Sequence, residues 1–97
     1  MQQYLIYAFD GTDNEALARR MAARPAHLAN VAKLKQNDNY LIGGAILSDN
    51  GQMIGSSMLV KFETQAQFED WYNNDPYITQ NVWQNVTVHP FRTAMVE

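Results

Sequence analysis

Cysteine is absent from the 97-residue chain. Disulfide bonds, thiolate nucleophiles and zinc sites built on thiolates are therefore excluded. No stretch approaches the roughly 20 consecutive apolar residues that span a bilayer, and no basic leader precedes a long apolar run at the N-terminus. We therefore expect a soluble, cytoplasmic protein with no membrane partner.

Basic residues are few and scattered, with seven Lys and Arg against ten Asp and Glu. A nucleic-acid-binding protein usually carries a clustered basic face, so we expect no nucleic-acid partner. The two histidines are His27 and His89, and no second ligand follows His27 at helical spacing. A glycine-rich phosphate loop is also missing. We therefore expect neither a metal site nor a cofactor.

Strand and helix signals follow one another in the order βαββαβ. Strands are predicted over 4–9, 40–47, 55–63 and 85–91, with a hairpin turn at Asn50-Gly51. Helices are predicted over 13–23 and 25–37, from the capping box at Thr64, and over 76–82. This order predicts a single α+β domain over 1–97, with a ferredoxin-like four-stranded antiparallel sheet and helices on one face.

The first predicted strand is apolar on both of its faces. An uncovered sheet face of that character would form a large apolar patch, and a second copy of the chain could cover it. We therefore predict a homodimer packed sheet against sheet, which could assemble into a higher oligomer. One face carries Tyr4, Ile6 and Ala8, and the other carries Leu5, Tyr7 and Phe9.

The segment RPAHL, residues 24–28, contains the more informative histidine. Proline lacks a backbone N–H and fits the first turn of a helix, so Pro25 predicts the end of one helix and the start of another. A helix N-terminus disfavours the imidazolium and favours a bound anion. His27 is then either a packing residue or a proton acceptor, and the residues alone leave both interpretations open.

Asp75 precedes Pro76 and is typical of a helix N-cap. A carboxylate fixed in this way could also hold an imidazole in one tautomer. Three further side chains are candidates for substrate binding. Arg24 could pair with a carboxylate or phenolate, and Tyr77 could line an aromatic pocket. Ser57 lies on a strand and lacks the GxSxG context of a nucleophile.

Six short motifs occur in an order that resembles the YciI-like (YCII-related) domain family. The motifs are YxIYAxD at 4–10, RPAHL at 24–28, GG at 43–44, GSxxLV at 55–60, DPY at 75–77 and VxVxPF at 86–91. The match covers nearly the whole chain and rests on the order and spacing of the motifs together. The resemblance implies a dimeric α+β barrel with a pocket in which His27 and Asp75 form a catalytic pair.

The resemblance also implies acid–base chemistry, because a related dehydrochlorinase acts on a chlorinated hydroxyquinol. We therefore predict a small cofactor-free enzyme, a lyase or isomerase, that carries out an elimination or isomerisation on a small aromatic or anionic molecule. Two alternatives remain open. One is a non-catalytic dimeric module that binds a small ligand, and the other is a structural subunit whose pocket has no role.

Overall fold

The computed structural model describes residues 1–97 and has the predicted βαββαβ order, with the predicted short helix after Asp75 preceding the last strand. The four strands form an antiparallel sheet in which strands 40–47, 53–62, 2–10 and 83–91 lie side by side in that order, and the helices cover one face of it. The ferredoxin-like α+β fold is therefore confirmed. No helix is long and apolar enough to cross a bilayer. The elements are β1 (Gln2–Asp10), α1 (Ala16–Gln36), β2 (Tyr40–Leu47), β3 (Met53–Phe62), α2 (Gln65–Asn74), α3 (Pro76–Thr79) and β4 (Trp83–Phe91).

The core lies between the helices and one face of β1 and β3. Successive side chains of a strand point to opposite faces, and Tyr4, Ile6 and Ala8 of β1 are all buried on the helix side. Tyr4 stacks on Phe68 of α2 with their ring centroids 4.1 Å apart. The remaining buried members of this core are Ala23, Leu34, Met58, Val60, Phe62, Tyr77, Val82 and Trp83.

The opposite side of the sheet remains apolar and uncovered in the single chain. Tyr7 is 44% exposed and Phe9 is 38% exposed. Leu5 lies directly opposite Leu59 of β3, so both point to this side. We call this surface the outer sheet face. Its apolar residues are Leu5, Tyr7, Phe9, Ile42, Leu59 and Phe91, of which Leu59 is buried, and the polar residues Ser57, Thr87 and His89 lie on the same side.

The predicted helix break at Pro25 is wrong, because α1 runs continuously from Ala16 to Gln36 with Pro25 inside it. A proline in a helix interior leaves the carbonyl four residues earlier, here that of Met21, without its intrahelical donor. Met21 is on the exposed side of α1. Buried residues on both sides of the proline hold the helix together, so packing overrides the local preference. They are Arg20, Ala23, His27 and Leu34.

This correction changes the electrostatics of His27. The side chain lies in the interior of a 21-residue helix, whereas the macrodipole acts within the first and last turns. The expected effects of a helix N-terminus on the imidazole and on a bound anion therefore do not apply. His27 is buried with Leu34 on the core side of α1.

The short helix α3 positions the second predicted residue of the pair. Asp75 caps it by accepting a hydrogen bond from the Tyr77 N–H at 3.0 Å, as its place before Pro76 predicts. The helix ends at Thr79 and not at Val82, because Asn81 adopts a left-handed conformation with φ of 59°. The chain then turns directly into β4.

Candidate functional site

A cavity of about 100 Å³ lies between α1 and the β2–β3 end of the sheet. Two glycines of β2 form part of its wall, and a side chain at Gly43 would come within 3.0 Å of the Ser57 carbonyl oxygen. The cavity is mainly apolar with a few polar groups, which is the usual character of a small-molecule site. Its lining is Arg20, Arg24, His27, Leu28, Val31, Tyr40, Gly43, Gly44, Ala45, Met53, Ser56, Met58 and Tyr77.

His27 and Asp75 lie in contact beside this cavity. The His27 Nδ1 atom is 2.8 Å from the Asp75 Oδ2 atom, and both side chains are buried. The same Oδ2 atom accepts the capping hydrogen bond from the Tyr77 N–H. A carboxylate only accepts hydrogen bonds, so we assign the hydrogen to Nδ1. The Nε2 atom then carries the free lone pair and can accept a proton.

The second carboxylate oxygen of Asp75 has no hydrogen-bond partner, although the residue is 0% exposed. A buried carboxylate oxygen without a hydrogen-bond donor carries a desolvation cost that no contact within the chain offsets.

Aromatic rings hold His27 in place from two directions. The Tyr77 ring stacks on the imidazole with centroids 3.8 Å apart and planes 9° from parallel. Trp83 meets the imidazole edge-on at 5.8 Å. Burial raises the pKa of the Tyr77 phenol above its usual value of 10. Tyr77 therefore stays neutral at physiological pH, and its hydroxyl remains a hydrogen-bond donor.

A buried ionic network, absent from the sequence predictions, adjoins the pair. Arg20 is 3% exposed, and its Nη1 donates to both carboxylate oxygens of Asp10 at 3.0 and 3.1 Å. Its Nη2 donates to the Ser56 hydroxyl at 2.8 Å, and Trp83 Nε1 donates to the same oxygen at 3.1 Å. Burial raises the pKa of Asp10, and the Arg20 charge opposes that rise.

The three predicted substrate-binding residues have different positions. Arg24 and Tyr77 both line the cavity, and Arg24 makes no ion pair with any carboxylate of the chain. Ser57 is not at this cavity, because it points to the other side of the sheet and donates to the Ile6 carbonyl at 3.3 Å. The adjacent Ser56 faces the cavity instead. No group of three or more His, Asp and Glu side chains is close enough to hold a metal ion.

The chain is similar in sequence to a known domain family and to its members. The profile of the YCII-related domain family matches residues 3–92. Protein YciI of Escherichia coli O6:H1 is 34% identical over 95 residues, which cover 92% of this chain and 95% of that protein.

Two solved structures have the same fold. The 5-chloro-2-hydroxyhydroquinone dehydrochlorinase of Burkholderia phenoliruptrix AC1100, in complex with 2,5-dihydroxybenzoquinone, matches with a TM-score of 0.80 and 25% identity over 95% of both chains. A dimeric ferredoxin-like protein of unknown function from Jannaschia sp. CCS1 matches with a TM-score of 0.58 and 9% identity, over 96% of this chain and 100% of that one.

Proposed function

The chain belongs to the YCII-related domain family, and from this premise we propose that it is a small cofactor-free enzyme that moves protons on a small aromatic molecule. His27 is its general base, and Asp75 is the positioning residue that sets the tautomer and stabilises the imidazolium. The observation that carries the proposal is the buried 2.8 Å contact between them at the wall of a cavity. The dehydrochlorinase with the same fold supports a hydroxylated ring as substrate.

The proton transfer follows the order of groups at the site. The His27 Nε2 atom takes a proton from an O–H or C–H group conjugated with a ring carbonyl, and the bonding electrons remain on the substrate as an enolate or phenolate. In an isomerisation the imidazolium returns that proton to another atom of the same molecule. In an elimination a leaving group such as chloride departs with its bonding electrons, and the imidazolium later gives the proton to solvent.

Arg24 and Tyr77 supply the groups that hold the anionic form. Arg24 has no carboxylate partner in the chain, so its charge is available to an oxyanion in the cavity. Tyr77 has no hydrogen-bond partner for its hydroxyl and remains a neutral donor. Together they favour a substrate that becomes negatively charged when His27 removes its proton.

We propose further that the active unit is a homodimer. The outer sheet face presents Tyr7, Phe9 and Ile42 to solvent, and Ile42 is 68% exposed. An apolar surface of this kind is typical of an interface and not of a monomer in water. An isologous dimer would cover the same face of both copies at once. The dimeric ferredoxin-like protein of similar fold is consistent with this assembly.

The proposed function is tested by replacing His27 with Asn. The amide can still donate to Asp75 where Nδ1 does, but it has no group in place of the Nε2 lone pair. Turnover is followed as chloride release from 5-chloro-2-hydroxyhydroquinone, and binding is followed with 2,5-dihydroxybenzoquinone, hereafter the quinone probe. General-base catalysis contributes about 10²–10⁴-fold, so we expect a loss of at least about 100-fold in kcat with probe affinity kept within a few fold.

His89→Asn makes the same chemical change at the second histidine, which is exposed on β4 and lies opposite Leu5 on the outer sheet face. Its assembly is first compared with that of the wild type by sedimentation, and we expect full activity from a variant with wild-type assembly. Wild-type turnover by the His27 variant refutes the base assignment. Tight binding of both compounds by the wild type without chloride release identifies the non-catalytic binding module.

A further inference from the structure

The Ser56 hydroxyl occupies an unusual position in the network beside the cavity. It is 3% exposed and lines the same wall as His27. Its oxygen accepts two hydrogen bonds, from Arg20 Nη2 at 2.8 Å and from Trp83 Nε1 at 3.1 Å. Guanidinium and indole N–H groups can only donate, so both lone pairs of the hydroxyl are occupied.

The hydroxyl hydrogen is then the only part of the Ser56 side chain that can still form a hydrogen bond. It donates to no acceptor within the chain, because the side-chain contacts of Ser56 are the two in which it accepts. A buried hydroxyl hydrogen without a partner costs free energy. The cavity is the side on which an acceptor from outside the protein can reach it.

The two donors also determine what Ser56 can do chemically. A hydroxyl that accepts from a cation and from an indole N–H is polarised, so its own hydrogen becomes a stronger donor and its oxygen a weaker nucleophile. The imidazole is committed to Asp75 and makes no hydrogen bond to Ser56. Ser56 is thus built to donate to a ligand and not to attack it.

We infer that Ser56 determines substrate specificity by donating its hydrogen to an oxygen of the substrate that only accepts, a ring carbonyl or a phenolate. The inference rests on the proposed function of the cavity and adds the class of ligand. The substrate is a small quinone- or quinol-type ring that places such an oxygen at Ser56. The Arg20 charge polarises the hydroxyl, but Asp10 neutralises that charge. Ser56 therefore recognises the substrate oxygen as a hydrogen-bond acceptor, while Arg24 pairs with the negative charge of the substrate.

Calorimetric titration with the quinone probe tests this inference on Ser56→Ala and Ser56→Thr. A hydrogen bond to a charged group is lost in the alanine variant, so we expect its Kd to rise about 10- to 100-fold. The threonine variant keeps the hydroxyl and should stay within about fivefold of the wild type. A Kd within twofold of the wild type for Ser56→Ala overturns the inference, and so does an equal loss in both variants, which would indicate packing.

Removing the hydroxyl leaves Arg20 and Trp83 without an acceptor, so Ser56→Cys is prepared alongside in case the alanine variant does not fold. The thiol fills the space but donates weakly, and we expect a loss of about tenfold or more. Unchanged affinity in Ser56→Cys refutes the inference, as does a wild-type protein that does not bind the probe. Failure of the His27 test leaves these affinities unaffected, so the two proposals fail separately.

Discussion

Asp75→Asn separates the two tasks that the carboxylate performs. In the wild type one oxygen accepts from both His27 Nδ1 and the Tyr77 N–H, while the other oxygen has no partner. An asparagine with its carbonyl oxygen at the first position keeps both hydrogen bonds. Its amide nitrogen then takes the place of the carboxylate oxygen that has no hydrogen-bond partner. The variant therefore removes the negative charge and leaves the geometry in place.

The magnitude follows from the charge that is removed. A hydrogen bond to a charged group contributes about 1.5–3 kcal/mol, against about 0.5–1.5 kcal/mol for a neutral one. The attraction between the carboxylate and the imidazolium sets an upper limit of about 4 kcal/mol at an effective dielectric constant near 20. A loss of about 1.5–4 kcal/mol in the transition state lowers kcat by roughly 10- to 1,000-fold.

Stability should respond differently. Asparagine caps a helix about as well as aspartate, but its amide nitrogen would be buried without an acceptor, so we expect Asp75→Asn to lower the free energy of unfolding by about 1–2 kcal/mol. Asp75→Ala loses the cap and leaves Nδ1 unpaired, which together cost about 2–4 kcal/mol.

The assay combines urea unfolding of the wild type and both variants with kcat for chloride release and the NMR signal of the imidazole Nδ1–H. An Asp75→Asn protein that keeps full kcat refutes a role for the Asp75 charge in catalysis. Equal destabilisation in the asparagine and alanine variants refutes the assigned hydrogen bonds.

Two further predictions concern other parts of the molecule. Tyr7→Lys introduces a charge into the outer sheet face and should give a monomer in sedimentation experiments. Ala66→Lys, at an exposed position of α2, should leave the dimer intact. A Tyr7→Lys protein that remains a dimer contradicts sheet-to-sheet packing. Arg19 donates to both Asp13 oxygens and lowers the pKa of that carboxyl from 3.8 to about 2. The stabilising contribution of Asp13 is therefore present above pH 3.8 and is lost as the pH falls towards about 2. NMR titration should show this pKa rising towards 3.8 in Arg19→Gln, and an unchanged value contradicts the pairing.

The sheet was predictable because its signals are local. β2 has the predicted bounds from Tyr40 to Leu47, and Met58, Val60 and Phe62, which alternate along β3, all lie on the core face. The continuity of α1 was not predictable from Pro25 alone. Burial of side chains before and after the proline outweighs one missing hydrogen bond. This burial depends on tertiary packing, which the local sequence does not show.

The site was predictable in part. The family resemblance indicated His27 and Asp75, but their contact joins residues 48 apart and depends on how α3 packs against α1. Ser56 could have been found, since it lies two residues before the core-facing Met58 and so shares its side of β3. The link from Arg20 to Asp10 and Ser56 joins α1 to two strands. Only the sheet register and helix placement create it.

The central claim is that His27 moves a proton on a small bound ring. It is tested most directly by NMR measurement of deuterium incorporation at the ring C–H positions of the quinone probe in D₂O. The account predicts that wild-type protein accelerates this exchange and that His27→Asn binds the probe without accelerating it. Equal exchange rates with the two proteins would contradict the account.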